Sequence, residues 1–144
     1  MQDKYMAYVG SYSYNGQAKG ITVYDVDVKR ESLSTGARWR WTTLSYLTVS
    51  HDGRTLYSIA DEGVVAFRIL ENGALSRVNS ANIKAMRGCH IATDAEDKFI
   101  FVSGYHDGKE TVVRLKPDGS IGEVTDGVTT RDLEAWQSAR SVRM

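Results

Sequence analysis

The chain has 144 residues and a mass of 16.0 kDa, enough for one domain and too little for two at the usual ~100–200 residues each. Eighteen basic residues balance eighteen acidic ones, which removes the electrostatic case for nucleic acid or an anionic membrane as the main partner. A single cysteine permits no internal disulfide, no apolar run nears the ~18 residues of a membrane span, and the opening MQDKYMAYVG has no signal-peptide core, so a cytoplasmic domain is expected.

In chain order, alternating or β-branched runs fall at residues 5–10, 20–28, 46–50, 55–60, 64–70, 74–78, 90–93, 98–103, 111–115 and 120–124. Each is bounded by Gly, Asp or Asn, the pattern of antiparallel strands separated by turns. The turns have a mechanism. His51-Asp52-Gly53, Glu71-Asn72-Gly73, His106-Asp107-Gly108 and Pro117-Asp118-Gly119 each end in glycine, which accepts positive φ without a Cβ clash. No segment before about residue 131 sustains a 3.6-residue apolar period, so the body is expected to be all-β.

The decisive feature is repetition. SYLTVSHDGRTLYSIADEGVVAFRILENGALSRV and CHIATDAEDKFIFVSGYHDGKETVVRLKPDGSIGEV carry the same order of strand, Asp turn, aromatic-rich strand, hairpin, third strand, glycine turn and fourth strand. Leu56 matches Ile100, Phe67 matches Val113 and Gly73 matches Gly119. Residues 5–27 repeat the middle of that unit, with Tyr24 where Phe67 stands. A four-stranded unit recurring every ~40–50 residues is the signature of a β-propeller blade. The expected fold is all-β, a partial β-propeller of about three four-stranded antiparallel blades. Residues 5–28 give the first blade's strands, and 45–83 and 88–128 give two blades, all within one domain over 1–144. A ring needs roughly four to eight blades, so open blade edges invite self-association.

Residues 31–44, ESLSTGARWRWTTL, sit where a blade should finish on an alternating strand and instead interleave tryptophan with arginine. The tail 131–144 loses β character where another blade should begin. A one-base shift of frame re-reads 37–44 as EVEVDNP and 131 onward as GLGSVAERTFRPH, so both segments are expected to be frameshifted. Two plainer readings stand beside this one. Arg38–Trp41 fits a stacking patch for single-stranded nucleic acid, and the tail fits an amphipathic helix.

YVGSYSYNGQAKGITVYDVD, SHDGRTLYSIADEGVVAFRILENGALSRV and RGCHIATDAEDKFIFVSGYHDGK resemble the lactonase family of seven-bladed propellers, the 6-phosphogluconolactonase-like proteins also called carboxymuconate cyclases. They correspond to the N-terminal half, or less, of such a protein. The resemblance implies hydrolysis of a sugar lactone, notably 6-phosphogluconolactone, in the cytoplasmic pentose phosphate pathway. The chain alone is expected to be inactive. The alternative is a non-catalytic propeller-like binding module completed by self-association.

The resemblance makes His90, on an innermost strand, the candidate general base or water-orienting group, and Glu62, at a family acidic position, a candidate to orient water or bind sugar hydroxyls. Tyr12 and Tyr105, at equivalent strand ends, are candidates for hydrogen bonds to a sugar ring or an oxyanion. Arg87, with its planar fork of donors, is the candidate phosphate ligand. Each has a plainer reading: a satisfied core histidine, a solvated turn carboxylate, aromatic packing between blades, an exposed loop arginine. Cys89 reads as a buried structural thiol, since neighbours on a strand point to opposite faces. His51 and His106 read as exposed turn residues, and three scattered histidines lack zinc-ligand spacing. No metal, organic cofactor, nucleic acid or membrane partner is expected. The partner is a small-molecule sugar lactone.

Overall fold

The computed structural model describes residues 4–12, 15, 17, 20–39, 44–61 and 63–129; these contain eleven strands and no helix. β1 (Lys4–Gly10), β2 (Ile21–Asp27) and β3 (Ser32–Trp39) form one sheet. A second holds β4 (Leu44–Val49), β5 (Thr55–Ala60), β6 (Gly63–Ile69) and β7 (Leu75–Asn82). The third holds β8 (Gly88–Thr93), β9 (Phe99–Gly104), β10 (Lys109–Leu115) and β11 (Ile121–Thr129). Each sheet is an antiparallel meander of consecutive strands, so the all-β, partial-propeller architecture read from the repeats is the one observed.

The three sheets stack as blades. β4 lies against β8, β5 against β8 and β1 against β4. β1 therefore meets the middle blade as β5 meets the third, and the first sheet has no described counterpart of the inner strands β4 and β8. The middle blade is covered on both faces, which explains why all six residues of β5 are buried. Its side chains divide by the two-residue period of a strand. Tyr57, Ile59, Val64 and Ala66 pack towards the third blade with Ile91, Ile100, Val102 and Val113. Leu56, Ala60, Val65 and Phe67 pack towards the first, with Ile21, Val23 and Leu44. Outer strands bury less, and β11 is largely exposed beyond Gly122.

Residues 31–44 break the apolar alternation expected of a blade's closing strand, yet β3 occupies 32–39 and pairs with β2 from Asp27↔Ser32 to Ile21↔Trp39. The reason is positional. β3 is an outer strand whose residues 32–36 are exposed, so backbone pairing holds it and apolar alternation is not required. Residues 40–43 and the tail 131–144 lie outside the described residues.

Inter-blade polar contacts repeat as well. The Tyr8 hydroxyl donates to the Gly73 carbonyl at 2.9 Å, and the Tyr57 hydroxyl donates to the Gly119 carbonyl at 2.8 Å. In both cases a tyrosine on one blade caps the glycine turn of the next. Burial pushes the Tyr57 phenol up to about 12, so it stays a donor across the physiological range. On the same rim, Asp97 joins two turns. It accepts the His51 and Asp52 backbone N–H groups at 2.9 and 3.1 Å, and its carboxylate lies 3.1 Å from His51 Nδ1.

Burial pushes the Asp97 carboxyl up, but the hydrogen bonds from His51 and Asp52 outweigh it and hold the group below the usual carboxylate range. A depressed folded value stabilises the fold above the unfolded carboxyl pKa of ~3.9, and that stability is lost as pH falls through the folded value. Thermal unfolding followed from pH 7 to pH 3 is expected to show a midpoint that drops at the acid end. Asp97→Asn should lower the midpoint at pH 7 and flatten the acid limb. An acid limb equal in both proteins would remove this role from Asp97.

Candidate functional site

Strand direction gathers one set of chain segments at the rim opposite Asp97. These are the residues after β1, the start of β4, the β5–β6 turn, the 83–87 connector before β8, and the β9–β10 turn. They enclose a cleft of about 970 Å³ lined by Tyr12, Tyr46, Asp61, Asn82, Arg87 and Tyr105 among others. A volume of ~300–1,000 Å³ suits a small organic ligand.

Arg87 is where the three blades meet. Its Nη2 donates to Asp61 Oδ1 of the middle blade at 3.0 Å. Its guanidinium carbon stands 4.3 Å from the centroid of the Tyr12 ring, which follows the first blade's β1. The residue itself leads into β8 of the third. A guanidinium over an aromatic face is attracted by the ring quadrupole, and the carboxylate fixes its roll about the side-chain axis. The Arg87 Nε is buried with no hydrogen-bond partner among the described residues. A buried unmet donor costs ~1–3 kcal/mol, so an ordered water accepting from it is favoured there.

Tyr105 stands at the cleft's outer lip, 80% exposed, edge-on to His106 with ring centroids 5.4 Å apart. An exposed aromatic at the lip of a cleft is a contact surface for a ring-shaped ligand. Tyr12, Arg87 and Tyr105 are thus brought together as sequence candidates. His90 is not among the cleft's lining residues; it is exposed on β8, while its neighbour Cys89 lines the cleft, as strand alternation requires. Glu62 lies outside the described residues, though Asp61 and Gly63 on either side line the cleft. Cys89 is half-buried rather than buried, and its thiol donates to the Ser103 carbonyl at 3.4 Å.

The sequence reading missed Asp61, Asn82 and the lining role of His106. Asp61 carried a signal in retrospect, as the carboxylate that ends an aromatic-rich strand at the site rim. Among the described residues the carboxylate-paired imidazole is His51, with Asp97 on the opposite rim, so no imidazole at the cleft is oriented as a base is in a hydrolytic triad. Among the same residues no cluster of His, Cys, Asp and Glu is arranged to hold a metal ion. None of the described helices is long and apolar enough to cross a membrane, there being none.

Comparison with known proteins bears on this geometry. The family described as Lactonase, 7-bladed beta-propeller matches residues 6–140. A 6-phosphogluconolactonase of Bacillus subtilis (strain 168) is 31% identical over 124 residues, which are 82% of this chain and 35% of the relative. The chain therefore spans about a third of the length of that curated relative. The solved structure of a Bacteroides fragilis protein assigned as a 6-phosphogluconolactonase superposes with a TM-score of 0.81 at 25% identity, covering 89% of this chain and 37% of that one. The periplasmic gluconolactonase of Pseudomonas aeruginosa shares the fold with a TM-score of 0.77 at 23% identity, covering 87% of this chain and 38% of its own.

Proposed function

The chain belongs to the seven-bladed β-propeller lactonases, and from that premise we propose that its cleft binds a sugar lactone, with 6-phosphogluconolactone as the substrate class, as one part of a hydrolytic site. The single observation that carries this reading is the convergence of three blades on Arg87 beside an exposed tyrosine. Opening a lactone needs a water activated by a base and donors at the carbonyl oxygen as it becomes an oxyanion. Tyr12 and Tyr105 supply hydroxyl donors for the sugar ring or the oxyanion, and Arg87 supplies a cation for the phosphate. His90, exposed on β8 outside the cleft lining, is the proposed general base or water-orienting group, and Glu62, beside Asp61, is proposed to orient water or bind sugar hydroxyls. With no carboxylate-oriented base lining the cleft among the described residues, the chain by itself is proposed to bind without turning substrate over. A reducing compartment such as the cytoplasm suits the free Cys89.

Isothermal titration tests this with a non-hydrolysable lactone analogue, the hydroximo-1,5-lactone of glucose, and its 6-phosphate. The phosphorylated form is expected to bind at least ~10-fold more tightly, ~1.4 kcal/mol, and Arg87→Ala should abolish the difference. Equal affinities, or no binding of either, would remove Arg87 from the reading. Hydrolysis of 6-phosphogluconolactone by the chain above the spontaneous rate would overturn the claim of binding without turnover.

A second reading is favoured by one further observation. Phe101 and Val124 on the third blade, and Tyr5 and Leu33 on the first, are large apolar side chains left exposed on the outer blades. A non-catalytic module that completes its ring with another copy of itself would cover them. Sedimentation showing a discrete oligomer across a concentration series supports this second reading, and a monomer throughout counts against it.

A further inference from the structure

Arg87 is held at its guanidinium end by Asp61 and Tyr12, but its backbone belongs to the 83–87 connector, which lies outside the strands. Ile83, 1% exposed, anchors one end of that connector in the core. Ala85 packs partly buried against the same core, but the next residue does not. Met86 is 54% exposed, so burial does little to fix the residue next to Arg87. Lys84 adopts a left-handed φ of 51°, a conformation that needs support from its surroundings.

The Lys84 N–H is held by Asn82 Oδ1 at 2.6 Å, and the rest of the support comes from the β9–β10 turn. Asp107 Oδ2 accepts the Met86 N–H at 2.8 Å, and Asp107 Oδ1 accepts the Lys109 N–H at 3.2 Å. Lys109 Nζ donates to the Lys84 carbonyl at 3.2 Å. The connector is thus tied to the turn at two points. The carboxylate fits only because residue 104 is glycine: a Cβ there would stand 2.3 Å from Asp107 Oδ1. The same turn carries Tyr105 and His106, which line the cleft.

We infer that Asp107 is the positioning residue for Arg87, holding the root of its side chain through the Met86 amide while Asp61 and Tyr12 hold the tip. The inference rests on the cleft being a ligand site. It assigns Asp107 no contact with the ligand, and its effect on binding runs through Arg87.

Two measurements test it, one with ligand and one without. In titrations with the 6-phosphorylated hydroximolactone, Asp107→Ala is expected to weaken binding ~10-fold. Asp107→Asn, which keeps a carbonyl acceptor for Met86, should restore most of the affinity. In an Arg87→Ala background, Asp107→Ala should then change affinity less than ~2-fold, because the residue it positions is gone. An equal loss in both backgrounds would overturn the inference. Without ligand, hydrogen exchange of the Met86 amide and the Arg87 Nε–H by nuclear magnetic resonance should be slow in the parent, faster in Asp107→Ala and intermediate in Asp107→Asn. Unchanged exchange in a folded Asp107→Ala protein overturns it as well. If the parent binds no analogue but exchange responds as stated, the ligand reading fails and the positioning role stands.

Discussion

Replacing Tyr57 by alanine is expected to cost the chain ~3–5 kcal/mol, whereas the same change at Phe101, the matching position one blade further on, costs ~1 kcal/mol or less. The two residues occupy equivalent places on β5 and β9, each pointing away from the preceding blade. Tyr57 is fully buried because the third blade covers it, and its hydroxyl caps Gly119 at 2.8 Å. Truncation leaves a cavity between two sheets that each hold their shape by their own ladders, so the void cannot collapse. Phe101 has no blade over it in this chain and is 37% exposed. Denaturant unfolding of the two variants measures the contrast directly. Equal losses at both positions would mean that another surface covers Phe101 in solution, which is what the self-association reading requires.

Gly10→Ala is expected to disable the cleft from a distance. A Cβ at Gly10 would stand 2.4 Å from the Ser45 carbonyl oxygen and 2.6 Å from that of Leu44, both main-chain atoms of the neighbouring blade. Neither can move without shifting β4, so the first blade must separate from the second. Overpacking of this kind costs ~1–3 kcal/mol. The functional loss should be larger than that stability loss implies. Tyr12 follows Gly10 by two residues, and Ser45 and Tyr46 line the cleft. Pushing the blades apart draws the Tyr12 ring from beneath Arg87, and affinity for the phosphorylated analogue is expected to fall ~10-fold or more. Titration of a Gly10→Ala protein that still unfolds cooperatively checks this, and undiminished affinity would mean that Tyr12 is dispensable.

Legibility in the sequence followed burial. The strands of the middle and third blades were readable because Leu56, Phe67, Ile100 and Val113 must fill inter-blade space and recur at one period. The glycine turns were readable because Gly73 and Gly119 adopt φ of 77° and 79°. β3 was not readable, since Ser32, Ser34 and Thr35 pair with β2 through the backbone and bury nothing. In the same place the first blade uses Glu31 at a φ of 51° where the others use glycine, which erased the turn signal too. At the site, Arg87, Tyr12 and Tyr105 stood out by residue type at strand ends. Asp61 and Asp107 did not, because their roles come from contacts across blades with residues 26 and 21 positions away. Turn carboxylates of that kind look alike in a sequence, and only the stacking of sheets separates those that cap their own turn from those that reach a neighbour.

Three blades meet on Arg87 at the cleft. A backbone amide titration by nuclear magnetic resonance, using the 6-phosphorylated hydroximolactone, tests the cleft as a ligand site most directly. Shifts are expected to concentrate at residues 12, 45–46, 60–61, 63–65, 80–82, 86–89 and 105–106, the segments that line the cleft. Shifts confined to the opposite rim around His51 and Asp97, or none at a saturating concentration, would contradict it.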